Sequence, residues 1–213
     1  MSQTTQHLHA IKRAVVEYSL LAIGFLWIPG AVYLDAVIMD HGIPEHGFTE
    51  ASQELFLFIS TASFFYLAWK HPLQRGFFIL VAGFFLTMLI REFDHDLDKI
   101  THGFWKYPAW LVTILSIALA RRYSGTVLAP MAAATRSTAF QSIFIGLVLL
   151  LFFSRVFGTG GLWEPILYTA EYNISDTLIK GVVQEGLELL GYTTILFGTV
   201  KYLLEIRKLN NLS

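Results

Sequence analysis

Glu185 and Glu188 stand three residues apart in a largely apolar stretch, so a helix sets both carboxylates on one face. Glu92 and His95 share that spacing, which in the dinuclear sites of four-helix bundles brings a Glu and a His to one metal. Glu54 follows Glu50 by four residues and lies on the same helical stripe. Carboxylates and imidazoles together hold a divalent ion, and an ion so held activates water. Glu54, Glu92, His95, Glu185 and Glu188 are therefore the predicted ligands of zinc or iron, with Glu185 and Glu188 also the predicted catalytic groups. A dinuclear site asks for a second Glu/His pair, and His41, His46 or His102 are the imidazoles that can complete it. A single zinc needs three ligands plus water. Arg91 and Arg155 are the predicted ion-pair partners, and can clamp an anionic group such as phosphate.

The same residues support three functions. The first is a membrane-embedded, metal-dependent hydrolase or dinuclear-metal enzyme acting on a lipid or lipid-soluble substrate. In the second, Arg91 and Arg155 neutralise the carboxylates in a structural network, within a non-catalytic subunit or scaffold that binds a membrane protein or a second copy of the chain. In the third, Glu185 and Glu188 titrate or coordinate in a proton- or cation-coupled carrier or channel.

Other chemistries fall away on residue type. The chain has no cysteine, which excludes disulfides, thiolate metal sites and Cys nucleophiles. Asp94-x-Asp96-x-Asp98 opens like a calcium loop, but Lys99 occupies the position that requires Gly and no Glu closes the loop. Gly158-Thr159-Gly160-Gly161 lacks the strand–helix setting and the Lys of a phosphate loop, so nucleotide binding is unsupported. There is no Gly-x-Ser-x-Gly elbow and no His-Glu-x-x-His pair. A net charge of −1 argues against nucleic acid.

These polar residues are positioned by lipid-soluble elements. Of the 213 residues, 54 % are hydrophobic and 15 % charged, whereas a soluble domain carries about 25 % charged residues. A spanning helix needs roughly 20 mostly apolar residues. Six such runs predict an all-α, polytopic bundle in one domain, with spans at 14–39, 48–69, 76–102, 108–123, 138–158 and 176–205. The first follows Lys12 and Arg13, is too long for a signal peptide, and reads as an uncleaved anchor.

Charge fixes the predicted orientation. With the amino terminus inside, 10 of the 15 Lys/Arg fall on the inward half and 14 of the 16 Asp/Glu on the outward half. Cytoplasmic loops favour Lys/Arg, so both termini are predicted to be cytoplasmic; in a bacterium the acidic half would face the periplasm across the inner membrane. A carboxylate at the bilayer centre costs about 2.5–3.5 kcal/mol or more, so these side chains are expected to face one another rather than lipid.

Overall fold

A computed structural model describes residues 3–39, 47–169 and 176–210. Among them the secondary structure is helical, without strands. Helix α1 (Gln3–Tyr33) runs into a π-helical turn, Leu34–Ile38, and α2 (Phe48–Lys70) follows. Helix α3 (Arg75–Glu92) leads to the short α4 (Asp94–Asp98), then α5 (Lys106–Arg122) and α6 (Leu128–Ala134). Helix α7 (Thr138–Val148) passes through a second π-helical turn, Leu149–Phe153, into α8 (Ser154–Phe157); α9 (Gly160–Thr169) and α10 (Asp176–Asn210) complete the described chain.

Helix α10 packs most extensively on α7 and α2, α2 also on α3, and α3 in turn on α5. Phe64 of α2 lies at the centre of this layer, fully buried, with the rings of Phe78, Phe85, Phe140 and Tyr202 at 5.6–6.4 Å. Helix α1 is peripheral: Ala31 is its one buried residue, and its Leu8, Ile11, Val15, Leu20, Ile23 and Leu26 are all exposed. In water such a surface would be untenable, and in hydrocarbon it is the favourable one.

Among the described residues, four segments are long and apolar enough to cross a membrane: Gln3–Ile38, Pro72–Glu92, Thr138–Phe157 and Leu178–Lys208. A fifth crossing is counted if Lys106–Arg122 and Ser124–Ala134, bent by 94°, are taken together. These helices are compatible with a multi-pass membrane protein. The predicted second span is a 23-residue helix, but it falls below this apolarity. The cause is visible in its packing: Ser52, Gln53, Ser60 and Thr61 are all buried against neighbouring helices rather than offered to lipid.

The predicted third span, 76–102, is cut short. Its helix ends at Glu92, Phe93 forms the cap, and a new helix starts at Asp94. Acidic Asp94 and Asp96 in the first turn of α4 suit a helix start, because they face its positive end. Gly103 has φ of +80°, the left-handed conformation expected of a stop there.

Candidate functional site

Three helices and one π-helical turn converge where α3 ends. From α10, Glu185, Glu188 and Tyr192 project on one stripe, spaced by three and four residues. From α3 come Arg91 and Glu92; from α2, Gln53; and the turn Leu149–Phe153 delivers Ser154 at the start of α8. A π-helical turn shifts the helical phase by a residue and often marks a functional position. Here it leaves Ser154 fully buried beside Glu188.

Each carboxylate is engaged differently. Glu92 Oε1 accepts from Arg91 Nη2 at 2.9 Å and from the Tyr192 hydroxyl at 2.7 Å. Glu185 Oε2 accepts from Gln53 Nε2 at 3.0 Å, and the same amide nitrogen reaches the Glu185 carbonyl at 3.3 Å. Glu188 Oε1 accepts from Gln184 Nε2 at 3.2 Å, one helical turn before it. Glu185 and Glu188 thus hold hydrogen bonds from neutral carboxamides, while the guanidinium pairs with Glu92. Glu188 is 4 % exposed, Tyr192 1 % and Gln53 1 %. The three carboxylates are close enough to feel one another electrostatically, and Glu50 adds a further negative charge.

The predicted residues divide accordingly. Glu92, Glu185, Glu188 and Arg91 come together. On α2 the partner of Glu185 is Gln53; Glu54, turned about 100° further round the helix, lines a cleft with Leu55, Phe58, Leu89 and Phe93. His95 is exposed on α4, beyond the break at Phe93, and Arg155 is exposed on α8. His102 is exposed and lies 3.2 Å from Asp98 Oδ2. His41 and His46 lie outside the described residues. Among the described residues, no group of three or more His, Asp or Glu side chains is disposed to hold a metal ion.

The sequence reading missed Gln53 and Gln184 as donors at this centre, and Ser154, which lies beside Glu188 and donates to the Leu150 carbonyl. Their signal is weak because neutral polar residues are ordinary on helix surfaces. Gln53 in particular is masked by its neighbours Glu50, Ser52 and Glu54, which make that end of the helix largely polar. Asp35 was missed as well. It is fully buried, and its two oxygens accept from the backbone N–H of Phe48 at 2.8 Å and Thr49 at 2.7 Å, capping α2.

Chemically, the centre presents several carboxylate oxygens, mostly bonded by neutral donors, in a space that largely excludes water. Such oxygens can accept a proton or replace part of the hydration shell of a cation. No protein-family model matches the chain, and no curated protein or solved structure matches it significantly.

Proposed function

We propose that the chain is a six-span membrane protein with both termini in the cytoplasm, acting as a proton- or cation-coupled carrier or channel. Glu185 and Glu188 are its ion-binding groups, and Glu92 with Arg91 forms the neighbouring pair that sets their field. The carrying observation is that, among the described residues, Glu185 and Glu188 are hydrogen-bonded by Gln53 and Gln184 rather than by cationic side chains. In a purely structural network, arginine or lysine would be the economical partner of a buried carboxylate. Neutral partners leave the negative charge for an exchangeable ion.

A run of hydroxyls supports the carrier reading. Ser60 and Thr61 of α2 and Thr193, Thr194 and Thr199 of α10 are buried, toward the end of the bundle away from the carboxylates. Four of them donate to carbonyls four residues earlier in their own helices, which leaves their oxygens as acceptors. The Thr199 hydroxyl is buried with no hydrogen-bond partner.

The test is proton and sodium flux into liposomes holding the purified protein, with metal content measured on the same sample. The reading expects flux in the wild type and a loss of about tenfold or more in Glu185→Gln and Glu188→Gln, which keep shape and remove charge. An impermeable wild type, with a stoichiometric partner, would move the protein to the scaffold class. One equivalent of zinc or iron, lost in Glu92→Gln and Glu188→Gln, would move it to the metal-dependent hydrolases.

A further inference from the structure

Helices α1 and α10 touch where Gly24 faces Thr193; a Cβ on that glycine would meet the threonine methyl at an ordinary 3.5 Å. Toward the amino terminus of α1 the two helices enclose a cavity of about 700 Å³, its wall formed by side chains such as Val16, Leu20, Phe197 and Leu204. His9, Lys12, Arg13, Glu17 and Lys201 form its rim. Glu17 pairs with Lys201, so three cationic residues less one carboxylate leave this rim at about +2. On the other side of α10 a second cavity, about 680 Å³, lies against α2 and includes Phe58, Ile59 and Leu203. Its rim carries Lys70, His71 and Arg207. Burial, with the ring set against Phe78, lowers the proton affinity of His71.

Val200 and Leu204 line both cavities. They are one helical turn apart and each about half exposed, so they form a low ridge between two apolar grooves. We infer that this double groove binds one anionic phospholipid of the leaflet on the side of the termini, with an acyl chain on each side of the Val200–Leu204 ridge and the phosphate among Lys12, Arg13 and Arg207. Charge complementarity selects the occupant. An apolar groove open to the bilayer accepts any acyl chain, but basic residues at its headgroup end favour an anionic headgroup over a zwitterionic one. The inference is independent of the carboxylate centre, which lies toward the opposite end of α10.

The experiment exchanges the detergent-purified full chain into nanodiscs of equal parts phosphatidylglycerol and phosphatidylcholine, re-extracts it, and weighs retained lipid by native mass spectrometry. The wild type is expected to retain one phosphatidylglycerol per chain in preference to phosphatidylcholine. The double variant Lys12→Gln/Arg13→Gln should lower that retention roughly tenfold, each charge contributing severalfold. Lys12→Arg, which keeps the charge, should behave as wild type. Val200→Trp, which fills the space beside the ridge without touching a charge, should also release the lipid. Equal retention of the two lipids by the wild type would overturn the proposal without reference to any variant. So would undiminished phosphatidylglycerol on a Lys12→Gln/Arg13→Gln protein whose helical circular dichroism is unchanged.

Discussion

Asp35 shows how a single buried charge can be structural. It occupies a π-helical turn inside an apolar run, and its carboxylate satisfies two N–H groups at the start of α2 that have no partner within their own helix. Replacing it by Ala removes both acceptors from a dry site, for an expected loss of about 1–3 kcal/mol; Asn, which keeps one acceptor oxygen, should lose less. Gly47 explains the tightness: a Cβ there would stand 2.6 Å from Asp35 Oδ2, so Gly47→Ala must displace the carboxylate. The two substitutions break the same contact. Gly47→Ala should therefore cost little in an Asp35→Ala background, and thermal unfolding of the four proteins in the cycle measures that coupling. A fully additive result would mean that the carboxylate is not what Gly47 accommodates. The residue scale is also where the sequence is least transparent. The carboxylates of the candidate centre were legible because a charge in an apolar run must face inward. Their amide donors were not, since Gln53 and Gln184 have no such constraint on where they point.

At the scale of elements, α10 is held to α7 by the absence of side chains. A Cβ on Gly146 would stand 2.7 Å from the Gly191 carbonyl oxygen, and one on Gly198 would stand 2.8 Å from that of Ala139. Gly191 and Gly198 are seven residues apart and share a face, so the two backbones meet at two levels. Small residues serve this purpose in membranes, where burying apolar surface brings no gain over lipid and close packing must supply the attraction. Gly198→Val and Gly191→Leu are expected to separate the helices, each costing about 1–3 kcal/mol, read as a lower midpoint in a denaturing-detergent titration. Gly161→Ala, at a glycine where a Cβ would meet nothing within 4 Å, is the matched control. Adding a Cβ there raises helix propensity and meets no neighbour, so an equal loss would show that the α7 contact is not the cause. The run of apolar segments was legible because length and hydropathy report directly on the solvent. The end of α3 was not. Thr87, Arg91, His95, Asp98 and His102 repeat with helical spacing, and a polar stripe reads the same whether one helix carries it or two. Phe93 breaks it, so His95 stands on a different helix from Arg91 and Glu92.

For the whole molecule, the sorting of charge makes an orientation testable at two surface positions. The two acids outside the acidic half are both engaged: Glu17 with Lys201, and Glu205 with Ser137, whose hydroxyl donates at 2.6 Å. Between the two predicted faces, α5 is the shortest of the predicted spans that the structure holds as one helix. Its 17 residues extend about 25 Å against a hydrocarbon core of about 30 Å. Exposed Tyr107 and Trp110 mark one end and Arg121 and Arg122 the other, as expected of anchors at two interfaces. Because the chain has no cysteine, single substitutions report cleanly. Thr101 and Ser124 are exposed and lie on either side of α5. With the termini in the cytoplasm, Thr101→Cys should react with a membrane-impermeant maleimide on intact cells, and Ser124→Cys only after permeabilisation. The opposite pattern would invert the topology and place the carboxylate centre on the cytoplasmic side. Labelling of both from outside would show that α5 does not cross, and that the 94° bend after it belongs to a re-entrant segment.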